Sequence, residues 1–318
     1  MKLYDLGEKK VIETILQYVD EGDYDLGKDD DIAVVQGIAL KIDGFSVYNS
    51  MLPWNSFYDM GWKASTMVAS DLIAKGVRPL AIVVSIGAPG STLIDDIVDI
   101  IRGVRDSAHY YNMLFVGGDT NAARTDIWVD ASGIGVPVGN VISRKGAAHG
   151  DYVAVTGLFG LTGAAFHAYR SSYNIELLRE KYPEIIMATR RPSAPLYFLK
   201  LVEEYGHCIS SSTDVSDGLA FSLNQIASKN NVAIRIESLP LHSEVEKYAR
   251  EVGVDPHLLA LHGGEEFEVL FTIRGECKSI IRELVEKYDV KIIGSVIKGQ
   301  GVYYGSKRIE PIGWDHFR

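Results

Sequence analysis

Cysteine is scarce in this sequence. Only Cys208 and Cys277 occur among its 318 residues, and neither has another cysteine or a histidine at the spacing that zinc sites use. A scaffold held together by disulfides carries many more cysteines than this. We therefore expect two ordinary buried thiols, no disulfide framework and no zinc centre.

Long apolar runs are also missing. The longest ones, at 80–86 and 152–155, end far short of the ~20 residues that a membrane-spanning helix needs. The first eight residues lack the apolar core and the small-residue cleavage site of a secretory signal. These absences predict a cytoplasmic location and no membrane partner.

Basic residues are too few to balance the acidic ones. The chain has 42 Asp and Glu against 32 Lys and Arg, which gives a formal net charge of −10. Such a charge opposes non-specific binding to nucleic acid, so no nucleic-acid partner is expected. A phosphate-bearing ligand would need metal ions to offset its repulsion by the acidic groups.

Several well-known catalytic signatures are absent. The sequence has no GxxxxGK[ST] loop, and it has neither the catalytic-loop motif nor the Asp-Phe-Gly motif of protein kinases. No serine or cysteine stands with a histidine in the local context of a nucleophilic triad. The two commonest ATP-binding folds and triad chemistry are therefore disfavoured.

What the sequence does have is the composition of a soluble globular protein. Its residues are 47% hydrophobic and 23% charged, and its length is typical of two domains. Short apolar segments alternate with helical patterns in both halves, which predicts an α+β fold with antiparallel sheet. A stretch of small and basic residues at 143–150 separates the halves. We place the domain boundary there, with residues 1–143 in the first domain and 144–318 in the second.

The spacing of apolar residues predicts the individual elements. An amphipathic helix should follow Glu8 and end at Gly22, and a second helix should be capped by Ser91 and Thr92. Asp43-Gly44 is a strong hairpin signal and is expected to be a turn. Further helices are predicted at 59–75, 193–205, 218–229 and 277–288. Strands are predicted at 32–35, 38–42, 45–48, 80–86, 114–116, 127–138, 152–155, 208–211, 232–236, 267–273 and 291–297.

Acidic residues stand at the ends of several predicted elements. They occur in Asp29-Asp30-Asp31, Ser70-Asp71, Gly117-Gly118-Asp119-Thr120 and Asp214-Val215-Ser216-Asp217-Gly218. Each motif taken alone is equally compatible with a helix cap or a turn. If the carboxylates converge in space, their repulsion requires a cation among them, and Mg²⁺ bound to polyphosphate oxygens meets that need.

A glycine series follows the predicted strand at 152–155. Gly157, Gly160 and Gly163 are spaced so that they could cradle a phosphate at the start of a helix. Close packing of that helix explains the same glycines equally well, so both interpretations remain open.

In this order, the motifs resemble those of the thiamine-monophosphate kinase family of the AIR-synthase-like superfamily, over nearly the whole chain. The resemblance also rests on Leu6-Gly7-Glu8, Lys75-Gly76-Val77-Arg78-Pro79, Ser143-Arg144-Lys145-Gly146, Gly263-Gly264-Glu265-Glu266-Phe267-Glu268 and Gly313-Trp314-Asp315-His316-Phe317. It implies an α+β, two-domain AIR-synthase-like fold. An N-terminal antiparallel-sheet domain would bind ATP and Mg²⁺ and form a homodimer. A C-terminal mixed α/β domain would complete the ATP and substrate site.

The resemblance also implies an activity and a set of site residues. The activity would be ATP-dependent phosphorylation of thiamine monophosphate to the diphosphate, by direct in-line transfer. The catalytic Mg²⁺ ligands would be Asp30, Asp71, Asp119 and Asp214, with Asp217 serving another metal ion or the phosphate. ATP would contact Gly118, Asp119, Arg144 and Ser216. The substrate would contact Glu265 and Trp314.

Two segments depart from the family pattern. Asp29 stands where the family has the glycine of Gly-Asp-Asp, and Tyr48-Asn49-Ser50-Met51 stands where it commonly has Thr-Asp. The second departure implies that a Mg²⁺-ligating carboxylate is missing at Ser50. It motivates an alternative, in which the chain is a weakened homologue that senses ATP or thiamine phosphates. Another ATP-dependent enzyme of the superfamily is the further alternative, although two branches require terminal cysteines that this chain lacks.

Overall fold

The chain folds around two β-sheets, and the computed structural model describes residues 2–20 and 22–313. The strands are β1 Ala33–Val35, β2 Ile38–Ser46, β3 Val77–Ala88, β4 Leu114–Ala122, β5 Trp128–Pro137, β6 Tyr152–Thr156, β7 Ile209–Asp214, β8 Ala233–Ile236, β9 Val269–Ile273, β10 Val290–Ile297, β11 Gly301–Tyr304 and β12 Lys307–Ile309. The α-helices are α1 Leu3–Leu6, α2 Glu8–Ile15, α3 Val47–Ser50, α4 Phe57–Ala74, α5 Ile94–Tyr110, α6 Leu161–Arg170, α7 Ile175–Lys181, α8 Pro183–Arg190, α9 Tyr197–Tyr205, α10 Leu219–Lys229, α11 Ser243–Val252, α12 Pro256–His262 and α13 Ile281–Lys287. Short 3₁₀ turns occur at Leu16–Tyr18, Gly206–Cys208 and Gly275–Ile280.

The first sheet has the strand order β1-β2-β5-β3-β4. Its neighbours are antiparallel except β3 and β4, which run parallel because α5 connects them. Helices α4 and α5 cover the inner face and approach each other closely. A Cβ on Gly61 would lie 1.9 Å from the carbonyl oxygen of Ile100, so only glycine permits this approach. The packed pair fixes α4 against the sheet.

The second sheet has seven strands in the order β12-β11-β8-β10-β6-β9-β7. It is mixed, since β11 and β8 are parallel and the other pairs are antiparallel. One buried apolar cluster contains residues from both halves of the chain, including Leu72 on α4, Phe198 on α9 and Phe271 on β9. In sequence, all strands of the first sheet precede the expected boundary at 143/144, and all strands of the second sheet follow it. The boundary stays a prediction, because the buried apolar cluster contains residues from both sides of it.

The expected turn at Asp43-Gly44 is wrong. Strand β2 passes straight through these residues, and the turn before it is at Gln36-Gly37, where both residues have positive φ. Gly44 is required for another reason, because a Cβ there would lie 2.0 Å from Oδ1 of Asp130 on β5. The segment expected as a strand at 45–48 instead ends β2 and begins α3.

Two further local expectations can be decided. Helix α5 has Leu93 at its N-cap without a side-chain hydrogen bond, so Ser91 and Thr92 do not cap it. At the start of α6 the backbone N–H of Gly160 donates to Glu266 (2.7 Å), and a Cβ on Gly163 would lie 2.1 Å from the Leu259 carbonyl oxygen. These glycines therefore serve helix packing, and the phosphate-cradle interpretation is not supported.

The two cysteines are not free thiols, which corrects the expectation from the sequence. Cys208 and Cys277 form a disulfide across a sequence separation of 69 residues. The backbone N–H of Arg274 donates to the Cys208 carbonyl oxygen (2.8 Å), so the start of β7 and the turn before α13 already lie side by side. This pairing follows from the tertiary structure, and sequence spacing gave no sign of it.

Replacing both cysteines by serine should lower the free energy of unfolding by about 4 kcal/mol, because the crosslink limits the entropy of the unfolded chain over a long loop. The measurement is urea unfolding under oxidising conditions. Reduced wild-type protein is the control and should show the same loss. An unchanged urea midpoint in the double variant would show that the disulfide adds nothing to stability.

Two half-buried carboxyl groups, Glu266 and Glu268, lie between β6, β9 and the start of α6. Burial raises the pKa of Glu266 to about 7 and that of Glu268 to about 8. Thr156 donates a hydrogen bond to Glu268, and a Cβ on Gly157 would lie 2.2 Å from the same carboxyl group. The folded protein therefore holds protons here that the unfolded chain releases above its ordinary pKa of 4.5.

These protons make stability fall as the pH rises from about 5 to 8, because the folded state binds more protons than the unfolded state in that window. Each proton contributes a slope of up to about 1.4 kcal/mol per pH unit. Glu268→Gln should remove one contribution, so the variant gains stability relative to wild type between pH 5 and pH 8. Thermal or urea unfolding across this range measures the difference. Glu310→Gln, on an exposed carboxylate, should leave the slope unchanged, and an unchanged slope in Glu268→Gln would contradict the assignment.

Candidate functional site

Helix α4 carries charged side chains on a face that is buried. Lys63, Asp71 and Lys75 follow one another at helical spacing and are at most 5% exposed. Lys75 directly follows the helix as its C-cap residue. Charged groups are buried only when they find partners, so the residues that meet this face define a site.

Three carboxylates converge next to α4. Asp31 precedes β1, Asp71 is on α4 and Asp214 ends β7, and one oxygen atom from each lies within 4.8 Å of the others. Burial, and then the charge of Asp214, raise the pKa of Asp71 well above its ordinary value. Burial also raises the pKa of Asp214. A set of oxygen ligands that repel one another suits a hard divalent cation such as Mg²⁺.

Asp30 lies beside this group and shares the cations Lys75 and Arg144 with Asp31. Burial acts to raise its pKa, yet Lys75 and hydrogen bonds from Ser143 and the Arg144 backbone N–H lower it overall. The Lys75 ammonium lies 2.7 Å from Asp30 and 2.7 Å from Asp31. Asp30 therefore anchors the loop that contains Arg144. The sequence favoured Asp30 as the ligand, whereas the structure places Asp31 with Asp71 and Asp214.

Strand β2 brings two charged residues that the sequence interpretation missed. Lys41 and Asp43 stand at every second position between the buried residues Ala39 and Phe45. All four side chains therefore point to the same face of the sheet. The Lys41 ammonium lies 2.5 Å from Asp71 and 3.2 Å from Asp43. Strand β2 therefore brings a carboxylate close to Asp71 that was not among those expected from the sequence. The sequence pattern that could have indicated Asp43 was the two-residue period of strand β2. The turn expected at Asp43-Gly44 concealed this period, because it ended the predicted strand at residue 42.

The turn from β7 to α10 extends the acidic group toward a cavity. Ser216 Oγ donates to Asp214 at 3.4 Å. Burial, followed by the charges of Glu8 and Asp214, raises the pKa of Asp217 to about 7. Ser216 and Asp217 both line a cavity of 720 Å³. The carboxylate group and this cavity therefore share a wall.

The cavity has an ion pair at its side and an apolar lining. Lys63 lies 2.6 Å from Glu265 and 4.6 Å from the centre of the Phe45 ring. The remaining lining is largely aromatic, thioether and small, and it includes Met51, Met67, Phe166, Tyr169, Phe267 and Gly264. Tyr48, Asn49 and Ser50 also line it. The segment that departs from the family pattern therefore borders the cavity and is not part of the carboxylate group.

Asp119 lies apart from the other carboxylates. It is exposed on β4, opposite Ser85 of β3, and accepts a hydrogen bond from Asn121 (2.7 Å). Gly118 before it permits close strand pairing, because a Cβ there would lie 1.8 Å from the Val84 carbonyl oxygen. The chain by itself does not bring Asp119 to Asp71 and Asp214.

A second cavity, of 540 Å³, lies at the other side of the carboxylate group. It is bordered by the 29–31 loop and by Lys41, and it reaches Leu40 and Ile134 on the outer face of the first sheet. Arg144 contacts Asp31, and its buried Nε finds no hydrogen-bond partner within the described residues. That N–H is suited to an anionic ligand.

The last substrate residue expected from the sequence, Trp314, lies outside the described residues. Gly313 is the final residue before it and lines the 720 Å³ cavity. A Cβ on Gly313 would lie 2.8 Å from the Asp217 carbonyl oxygen, so the chain passes close to the β7–α10 turn.

Comparison with known proteins shows the family of this chain. The family model for the AIR synthase related protein N-terminal domain matches residues 29–137, and the model for the C-terminal domain of the same family matches residues 148–305. A thiamine-monophosphate kinase from Pyrococcus abyssi is 37% identical over 81% of this chain and 79% of its own. The corresponding protein from Aquifex aeolicus is 30% identical over 100% of both chains.

A solved structure is similar over almost the whole chain. It is named AaThiL complexed with AMPPCP and TMP, and it superposes with a TM-score of 0.84 at 28% identity over 99% of each chain. The two family models together cover well over half of the chain, and the curated relatives span most of it. The chain belongs to the AIR synthase related proteins and, among these, to the thiamine-monophosphate kinase family.

Proposed function

We propose that this protein transfers the γ-phosphoryl group of ATP to thiamine monophosphate and forms thiamine diphosphate. The observation that carries this proposal is the shared wall between the buried carboxylate group and the 720 Å³ cavity, at Ser216 and Asp217. Phosphoryl transfer needs charge neutralisation on one side of the reacting atoms and a positioned acceptor on the other. The wall provides the place where the two meet.

Mg²⁺ would be held by Asp31, Asp71 and Asp214, with Asp43 and Asp217 at the edge of the group. When bound, the metal would neutralise the polyphosphate and the developing charge during transfer. We give Asp31 the ligand role that the sequence gave to Asp30, because a carboxylate oxygen of Asp31 lies within 4.8 Å of oxygens from Asp71 and Asp214. The role of Asp119 stays a prediction.

ATP would occupy the 540 Å³ cavity next to the 29–31 loop. Arg144, which contacts Asp31 of that loop, would donate its Nε–H to a phosphate oxygen. Gly118 and Ser216 stay predicted ATP contacts. Ser216 lies close to Asp214, where the phosphate chain would pass toward the acceptor.

Thiamine monophosphate would occupy the 720 Å³ cavity. Its thiazolium ring is cationic and suits a lining of aromatic faces. Glu265 would accept hydrogen bonds from the aminopyrimidine, and Lys63 holds this carboxylate in place (2.6 Å). The acceptor phosphate would then face Asp217 and the carboxylate group. The role of Trp314 stays a prediction.

The alternative of a weakened sensor rested on the missing carboxylate at Ser50. Asp43 and Asp71 both contact Lys41, so strand β2 brings a carboxylate close to Asp71, and we favour the kinase over the sensor. The direct route also fits the site, since transfer without a phosphoenzyme requires positioned charges and no nucleophilic side chain.

Purified protein with thiamine monophosphate, ATP and Mg²⁺ should form thiamine diphosphate, which mass spectrometry detects. Asp71→Asn should reduce turnover by at least about 10²-fold, because one charge that holds the metal is lost. The same variant should melt at a higher temperature without Mg²⁺, since repulsion with Asp214 is relieved. Asp99→Asn on the exposed side of α5 is the matched control. No product from wild-type protein that still binds nucleotide would contradict the kinase function, and wild-type turnover in Asp71→Asn would remove Asp71 from the site.

We also propose a homodimer formed by the first sheet. The outer face of this sheet is apolar and exposed on four neighbouring strands, with residues that are each at least 37% exposed. They are Ile38, Leu40, Ile42, Leu80, Val83, Leu114, Val116, Ile134 and Val136. A contiguous apolar face of this kind indicates a protein contact. A second copy would cover it and would also close the ATP cavity, which reaches Leu40 and Ile134.

Leu80→Glu combined with Val116→Glu should convert the dimer to a monomer, because four carboxylates would be buried in a twofold interface. Light scattering coupled to size exclusion measures the mass. The control is Leu93→Glu combined with Ile94→Glu, which adds the same charge at the exposed start of α5. A monomeric wild-type protein, or a dimeric double variant, would contradict this interface.

We further propose that the reaction takes place in the cytoplasm, where ATP is available. Within 2–20 and 22–313, the structure contains no helix with the length and apolar character needed to span a bilayer.

A further inference from the structure

Lys41 has a different environment from the other cations of the site. Lys75 is saturated, because its ammonium contacts Asp30, Asp31 and the Ser212 carbonyl oxygen. Among the described residues, the Lys41 ammonium has two ion-pair partners, Asp71 at 2.5 Å and Asp43 at 3.2 Å. An ammonium group has three N–H donors, so one remains for a ligand.

The position of this ammonium is that of a bridging cation. It lies between carboxylates from two elements, β2 and α4, and the charge of Asp214 on β7 also acts on it. A divalent ion that bridged Asp43 and Asp71 would have to lie within a few ångströms of the ammonium. Like charges at that separation repel strongly, so the two cations compete for one place.

Strand geometry prevents Lys41 from leaving that place easily. Residues Ala39 to Phe45 are paired with β5 in continuous register, and Ala39 and Phe45 are buried on the same face. The Lys41 side chain is only 16% exposed. Withdrawal of the ammonium into solvent would leave Asp71 buried beside Asp214 without its counter-charge.

We propose that the Lys41 ammonium is a resident cation that takes the place of one divalent ion between Asp43 and Asp71. Mg²⁺ is then confined to the side of Asp71 that faces Asp31 and Asp214. The remaining N–H of Lys41 donates to an oxygen of the polyphosphate, a role that rests on the proposed function. The Lys41 ammonium thereby supplies part of the positive charge that neutralises the nucleotide.

The test counts divalent ions directly. Mn²⁺ is titrated into wild-type protein and Lys41→Met, with and without a saturating non-hydrolysable ATP analogue, and free Mn²⁺ is measured by electron paramagnetic resonance. Lys41→Met should bind one more Mn²⁺ per chain than wild type, because the Asp43 and Asp71 pair loses its counter-charge. Lys41→Arg, which keeps the charge, should bind the wild-type number. Lys291→Met removes a lysine paired with Asp289 on the surface and is the matched control.

An equal Mn²⁺ count in folded Lys41→Met and wild type would overturn the proposal. If Lys41→Met does not fold, Asp43→Asn and Asp31→Asn decide the matter. Asp43→Asn should keep the wild-type count, since its charge is matched by Lys41, whereas Asp31→Asn should lose one ion. A lost ion in Asp43→Asn would overturn the proposal. The Mn²⁺ counts do not depend on turnover. A wild-type protein that forms no thiamine diphosphate would therefore contradict the proposed function, and the Mn²⁺ counts would still decide whether Lys41 replaces a divalent ion.

Discussion

The structure depends on an excess of buried negative charge at the seam between its two sheets. Lys75 follows α4 in the first half of the chain and donates to the Ser212 carbonyl oxygen of β7 in the second half (2.5 Å). Ser70 donates to Asp214 (2.9 Å), and Thr213 donates to Asp31 (3.0 Å), so further polar contacts cross the same seam. Charges buried in this way are costly without partners. The contacts that join the halves are therefore also the contacts that assemble the site.

The same constraint explains why the site suits phosphoryl transfer. Three cations, Lys41, Lys75 and Arg144, partly offset the carboxylates among the described residues. Burial, and for Asp71 also the charge of Asp214, nevertheless raises the pKa of Asp71 and Asp214. An incompletely compensated oxygen-lined group attracts a divalent cation, and such a cation makes a polyphosphate acceptable in a chain of net charge −10. The cavity beside Asp217 then determines what can accept the phosphoryl group.

The fold was predictable where local patterns dominate, and less so elsewhere. The helix expected at 59–75 is α4, and the strand expected at 232–236 is β8, because each has a clear apolar period and a clear stop signal. The turn predicted at Asp43-Gly44 was wrong because Gly44 is there for a different reason. It leaves room for the side chain of Asp130, which is distant in sequence. Local sequence carries no record of such a neighbour. The Cys208–Cys277 pair was missed for the same reason.

By itself, the sequence determined the family, the two-part α+β architecture and the motifs that supply the carboxylates, since these depend on order and spacing along the chain. Only the tertiary structure decided that Asp31 joins Asp71 and Asp214, because the path of the 29–31 loop and the packing of α4 beside β7 determine which carboxylate oxygens meet. It also decided that Asp43 and Lys41 belong to the site. Their partners lie on α4 and β7, far along the chain, and such distant pairings are set by how the sheets and helices pack.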